Sequence, residues 1–255
     1  MMRAAPIAKI SPWLSPLVRT TESPVAMFCF PYAGSGASVY RSWNQFFSNE
    51  ADLYAVQAPG RETRFSEPFV KTIPELAAAV ADVIQSVTDK PIILFGHSLG
   101  SACAFETAKV LEHRGRAPEL LIVSGRQCPG TPSKRAPISH LPDKQFLEQV
   151  RQYKGTPIEV LENKELMEVL LPLIRSDFAL AERYRPNADD LLNCPILALG
   201  SVDDEWLDVE KLEQWATLTQ GSFETHWFAG DHFYLNSRAQ ELISFIKEKM
   251  LSLTT

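Results

Sequence analysis

The sequence predicts an α/β fold, a mainly parallel sheet flanked by helices with a helical insertion at about residues 126–190. Three observations predict it. Short, continuous apolar runs recur at 26–30, 52–57, 92–95, 120–124 and 194–200, and most are separated by stretches with apolar residues at helical spacing. That pattern marks strands buried on both faces of a parallel sheet. One run, Ile92-Ile93-Leu94-Phe95, leads through Gly96-His97-Ser98-Leu99-Gly100 directly into a helical segment. After 120–124 the alternation breaks, and helical patterns follow one another without a strand between them.

The bulk composition agrees with this class. The chain has 255 residues, 45% of them hydrophobic and 22% charged, enough for one large α/β domain with an insertion. No repeat, low-complexity segment or linker divides it, so residues 1–255 are expected to form a single domain. The net charge is −6, and no Lys/Arg cluster extends beyond Lys134-Arg135, so no nucleic-acid partner is expected. The four cysteines are scattered, without C-x-x-C or zinc spacing, and no metal site is expected. Cys29, Cys103 and Cys194 lie in apolar segments and read as buried thiols, which suits a reducing cytosol. Met1 to Thr20 is interrupted by Pro6, Pro12 and Pro16 and lacks the apolar run of a signal peptide, and no later stretch is long enough to cross a membrane. A cytoplasmic monomer that does not touch membranes is expected.

Taken in order, residues 1–24 read as a Pro-rich lead-in with little regular structure. Ala26–Phe30 is a buried strand ending in Pro31-Tyr32-Ala33-Gly34-Ser35-Gly36, a Gly-rich loop placed where a hydrolase of this architecture sets an oxyanion donor. Ala33, through its backbone N–H, is the candidate. Val39 to Ser48 reads as a helix with Tyr40, Trp43, Phe46 and Phe47 on its core side, and Asp52 to Gln57 as the next strand. The charged Arg61-Glu62-Thr63-Arg64 reads as loop ion pairing. Ile73 to Val87 has helical spacing, with Pro74 suited to a first turn. The helix after the Gly-x-Ser-x-Gly runs to about Arg114 and stops at Gly115.

Within the insertion, Asp143–Tyr153 and Asn163–Tyr184 read as helices, the second broken or kinked at Pro172. Helices inserted between two strands look like a lid, with an apolar face that packs on the core and lines an acyl pocket. The sheet resumes at 194–200, followed by the acidic Ser201-Val202-Asp203-Asp204-Glu205. Leu207–Thr219 reads as a helix, Thr225–Phe228 as a last strand, and Ser237 as the N-cap of a helix to about Met250.

A strand, a tight turn bearing Gly-x-Ser-x-Gly and a helix together make a nucleophile elbow. An ordinary turn with a capping serine shares the five residues, but the flanking strand and helix favour the nucleophile. Gly96 and Gly100 remove the Cβ atoms that would block the approach of strand to helix, and the helix N-terminus after Ser98 offers N–H groups where an oxyanion would form. A serine hydroxyl needs a base. His97 adjoins Ser98 and should point elsewhere, His113 lies at the far end of the helix, His140 is in the insertion, and His226 is within a strand. His232 lies in a loop past the last strand, on the same carboxyl edge of the sheet as Ser98. The carboxylate partner must come from that edge too. The chain order Ser98, Asp203, His232 fits this class of hydrolase, and the Gly-x-x-Asp spacing from Gly200 favours Asp203. Asp204 would then face solvent or cap the loop, and Asp231 is too close to His232 to turn towards it.

These residues resemble a known family, the stand-alone type II thioesterases of nonribosomal peptide and polyketide assembly lines, which have the α/β-hydrolase fold. The likeness covers nearly the whole chain. It rests on Phe30-Pro31-Tyr32-Ala33-Gly34, Gln57-Ala58-Pro59-Gly60-Arg61-Glu62, the elbow, Gly155-Thr156-Pro157, Glu159-Val160-Leu161, Leu171–Phe178 and Gly230-Asp231-His232-Phe233-Tyr234-Leu235. Ser35 and Leu99 are small departures from the family pattern, and neither removes a backbone donor. The resemblance implies hydrolysis of acyl thioesters from the phosphopantetheine arm of an acyl or peptidyl carrier protein. Ser98 would be the nucleophile, His232 the base, and the N–H groups of Ala33 and Leu99 the oxyanion donors. No cofactor is implied. A general carboxylesterase, an acyl-CoA thioesterase and an inactive hydrolase-like binding protein are the alternatives.

Overall fold

Among the described residues seven strands form one sheet: β1 (Leu14–Val18), β2 (Ala26–Phe30), β3 (Asp52–Val56), β4 (Ile92–His97), β5 (Leu120–Ser124), β6 (Ile196–Ser201) and β7 (Phe223–Phe228). Their order across the sheet is β1-β3-β2-β4-β5-β6-β7, with β1 antiparallel to β3 and every other pair parallel. The computed structural model describes residues 11–156, 158–187 and 191–253. The first ten residues of the lead-in, Pro157 of the Gly155-Thr156-Pro157 segment and residues 188–190 at the end of the insertion lie outside the described residues.

β2 to β5 are buried along their whole length, because each is apolar on both faces. One face is covered by α1 (Ile73–Val87) and α2 (Leu99–His113). The other is covered by a 3-10 helix over Ala37–Phe46 and by α8 (Ala239–Leu253). α1 begins as its sequence predicts, with the Thr72 hydroxyl accepting from the Glu75 N–H and Pro74 in the first turn. α2 ends at Gly115, whose φ of +73° closes the helix.

The insertion between β5 and β6 holds α3 (Asp143–Tyr153), α4 (Ile158–Glu162) and α5 (Lys164–Arg183), which share a small core of their own around Phe146, Val150, Met167 and Ile174. α5 continues through Pro172 without a break. Met167 to Phe178 of α5 face this small core, whereas Leu180 and Tyr184, the residue after the helix, pack in the main one. The other helical segments among the described residues are a 3-10 turn at Glu62–Arg64, α6 (Val209–Glu213), a 3-10 turn at Gln214–Leu218 and the short α7 (Tyr234–Ser237).

Several expectations are corrected. The lead-in contains β1, an edge strand. The segment 37–46 winds as a 3-10 helix. Leu207–Thr219 divides into a short α-helix and a 3-10 turn. Ser237 ends α7 instead of capping α8. No helix among the described residues is long and apolar enough to cross a membrane. All four cysteines are buried and unpaired.

Candidate active site

Ser98 stands between β4 and α2 with φ 54° and ψ −115°, a conformation an L-residue holds only when its surroundings enforce it. Around it, strand and helix approach too closely for a side chain at either flanking glycine. A methyl group on Gly96 would lie 2.1 Å from the Gly100 carbonyl oxygen, and one on Gly100 would lie 2.0 Å from the Phe30 carbonyl oxygen. Hydrogen bonds then tie the turn to β5. The Ser98 N–H donates to the Ser124 carbonyl at 2.8 Å, and the Ser124 N–H donates to the Ser101 hydroxyl at 3.1 Å.

His232 follows β7, as predicted, and is buried. Its Nδ1 is 2.7 Å from Asp204 Oδ2. Asp204 is itself buried, and its Oδ1 accepts from the Trp206 N–H at 3.0 Å. The expectation that Asp203 partners His232 is therefore corrected. Asp203 is exposed, and its Oδ2 accepts the Gly230 N–H, at 3.2 Å. The cause is one residue of strand. β6 extends to Ser201, whose hydroxyl donates to the Asp231 carbonyl at 2.8 Å and anchors the histidine loop. Val202 and Asp203 become the exposed tip, and the chain folds back at Asp204, whose N–H donates to the Ser201 carbonyl.

With Nδ1 committed to a carboxylate, Nε2 is the ring nitrogen left to accept a proton. The His232 ring packs against Trp206 at 4.7 Å and His97 at 4.9 Å, centroid to centroid. His97 points away from the Ser98 side chain into the interior, as expected. Its Nδ1 is 2.8 Å from the Ser124 hydroxyl, which is 2.6 Å from the Tyr234 hydroxyl. Burial holds the His97 imidazole well below its usual range, and the adjacent His232 lowers it further, so it is neutral. His226 stacks on Phe245 at 4.0 Å, away from this cluster.

Ser98, His232, Ala33 and Leu99 all line one cavity of about 600 Å³. The insertion covers it, contributing Val150, Tyr153, Ile174 and Phe178 to its wall. The lid thus does both things expected of it, packing on the core and lining a pocket. The charged run at 61–64 holds more than loop pairing. Arg64 does pair locally with Glu67, but Arg61 reaches into the interior to Asp177 of α5. Neither Arg61 nor Asp177 carries a functional signal in its local sequence, although both fall in segments that carry the family likeness.

The model of the thioesterase domain family matches residues 26–250. The chain belongs to the thioesterase family. Among its relatives, gramicidin S biosynthesis protein GrsT of Aneurinibacillus migulanus is 34% identical over 245 residues, 96% of each chain. A protein named linear gramicidin dehydrogenase LgrE, from Brevibacillus parabrevis, is 35% identical over 246 residues, 95% of this thioesterase and 94% of that protein. The redox word belongs to that name. In the thioesterase described here no strand is followed by the Gly-x-Gly-x-x-Gly of a dinucleotide-binding turn. The solved structure of YbtT, a type II thioesterase from the yersiniabactin pathway, superposes with a TM-score of 0.88 at 30% identity, covering 95% of this thioesterase and all of YbtT. The fold is that of the α/β-hydrolases.

Proposed function

We propose that this thioesterase hydrolyses acyl groups from the phosphopantetheine arm of a carrier protein in a nonribosomal peptide or polyketide assembly line, through an acyl-enzyme on Ser98. The observation that carries the reading is the shared cavity: a serine on a strained elbow and a carboxylate-bound histidine open into one lid-covered chamber. Likeness over nearly the full length to GrsT and YbtT supports the pathway.

In this reading Ser98 Oγ attacks the thioester carbonyl while His232 Nε2 takes its proton. Asp204 fixes the imidazole tautomer and stabilises the imidazolium. The N–H groups of Ala33 and Leu99 receive the oxyanion, each worth about 2.7–4 kcal/mol in the barrier. The tetrahedral centre collapses, the thiolate leaves with the proton from His232, and the acyl-Ser98 ester remains. His232 then takes a proton from water, whose oxygen attacks the ester, and returns it to Ser98 as the acid is released. The proton and acyl transfers are complete with these side chains, so no metal or diffusible cofactor is assigned. We take the enzyme to act as a cytoplasmic monomer, a location consistent with four buried, unpaired thiols.

Turnover on an acylated carrier protein is to be compared with turnover on the matching acyl-CoA and on small esters. A higher kcat/KM on the carrier-bound acyl group is expected. Equal or higher kcat/KM on acyl-CoA or esters would overturn the carrier-protein assignment.

A further inference from the structure

Three segments far apart in the chain meet beside the loop that carries Ala33. Asp177, on α5, is fully buried, with its side chain 1% exposed. Its Oδ2 accepts the Gly34 N–H at 2.8 Å and Arg61 Nη1 at 2.7 Å, and its Oδ1 accepts Arg61 Nη2 at 2.8 Å. Arg61 Nη1 also donates to the Ser35 carbonyl at 2.8 Å. One turn back along α5, Ile174 packs against the same loop. A methyl group on Gly34, which has φ +78°, would lie 3.2 Å from Ile174 Cγ1. One face of α5 therefore grips Gly34 by both its N–H and its bare Cα.

The grip passes to Ala33 through planar peptides. The Ser35 N–H and hydroxyl both donate to the Tyr32 carbonyl, at 3.2 and 2.6 Å. The Tyr32 carbonyl and the Ala33 N–H belong to one peptide plane and point in opposite directions. Fixing the carbonyl thus aims the N–H. Arg61 holds the Ser35 carbonyl, and Asp177, bonded to the same guanidinium, holds the Gly34 N–H. Stability alone does not call for such a pair, since a buried ion pair of this kind can be exchanged for apolar side chains at little cost. A carboxylate at 177 does what an apolar side chain cannot: it receives a loop N–H and orients the guanidinium that secures the next carbonyl.

We infer that Asp177, acting with Arg61, is a positioning residue for the oxyanion donor, so that packing of lid helix α5 and stabilisation of the transition state are coupled. Asp177 acts through the loop and touches no substrate. The inference rests on Ser98 as nucleophile and Ala33 as donor.

The test uses a small acyl thioester of N-acetylcysteamine, which needs no carrier protein, with the full-length enzyme and its Asp177→Asn, Arg61→Met/Asp177→Leu and Ser98→Ala variants. Asp177→Asn keeps an acceptor but loses the charge, and kcat is expected to fall about 10-fold with KM within about 2-fold, as displacement of a donor by a fraction of an ångström predicts. The double variant, with its unfolding midpoint in urea near wild type, should lose about 100-fold in kcat. Inhibition by an alkylboronic acid, whose adduct with Ser98 places an oxygen in the oxyanion site, should weaken by the same factors. Wild-type kcat and boronate affinity in the folded variants would overturn the inference, as would a rise in KM with kcat unchanged. Should the double variant fail to fold, Asp177→Asn decides by the same two readouts. Ser98→Ala separates the two readings. Full hydrolysis by that variant would overturn the nucleophile assignment, whereas its inactivity beside unimpaired Asp177 variants would overturn only the positioning role.

Discussion

Asp204 meets His232 across 2.7 Å at Nδ1, while its neighbour Asp203 points to solvent and holds the Gly230 N–H. The two acids therefore predict opposite phenotypes. Asp204→Asn presents an amide that can force the wrong imidazole tautomer, and kcat is expected to fall about 10⁴-fold. Asp203→Asn keeps its acceptor and should stay within about 3-fold of wild type, as surface changes usually do. Steady-state kinetics on one thioester substrate decides; the reverse pattern would return the role to Asp203.

The elbow stores strain at Ser98. Ser98→Gly should abolish acyl-enzyme formation yet raise unfolding free energy by about 1 kcal/mol, the strain relieved less the added chain entropy. Urea unfolding and intact-protein mass after mixing with substrate give the two readouts. A less stable glycine variant would contradict the strain.

Gly100→Ala tests the approach of strand to helix. The new methyl group would meet the Phe30 carbonyl at 2.0 Å, a backbone atom that cannot swing aside. A loss of about 3 kcal/mol is expected by urea unfolding. Because Phe30 leads into the loop bearing Ala33, kcat should fall as well; an unchanged unfolding midpoint would sink the prediction.

His97 gives the fold a dependence on pH. Its imidazole is buried among Ser124, Tyr234, Tyr32 and His232. Burial pushes both tyrosine phenols up, so they stay protonated. In the unfolded chain His97 takes up a proton below its ordinary value of 6.5, and in the folded protein burial holds it neutral far below that. Its contribution to stability is present above pH 6.5 and is lost as pH falls, by at most about 1.4 kcal/mol per pH unit. Unfolding free energies at pH 7 and pH 5 should show that slope in the wild type and a shallower one in His97→Gln. Equal slopes would contradict it.

What could be read from the sequence followed the range of the interactions. The elbow is local: strand, serine, glycines and helix are contiguous, so Ser98 and its turn were legible, and His232 followed from its place after the last strand. The step from Asp203 to Asp204 is not legible in the sequence, because the end of β6 depends on Ser201 bonding to Asp231, thirty residues away in the chain. Arg61 and Asp177 are 116 residues apart, and neither carries a local signal for the other. β1 has a proline in its middle and borrows its strand character from β3. The 3-10 winding of 37–46 shares its aromatic spacing with an α-helix, and the tie from the Ala37 N–H to Gln57 is again long-range.

The proline in β1 has a consequence for the outer rim of the sheet. The Gln57 N–H donates to the Trp13 carbonyl, and the register pairs Leu14 with Val56, Ser15 with Ala55 and Pro16 with Tyr54. Residues 13 and 15 therefore direct their backbone groups inward to β3, and residues 14 and 16 direct theirs outward. At position 16 the outward group is a proline nitrogen without hydrogen, and the register slips immediately beyond it. A neighbouring molecule seeking to extend the sheet finds no donor there and a twisted strand after it, the protection that edge strands need against aggregation. Strand addition along this edge is interrupted at Pro16.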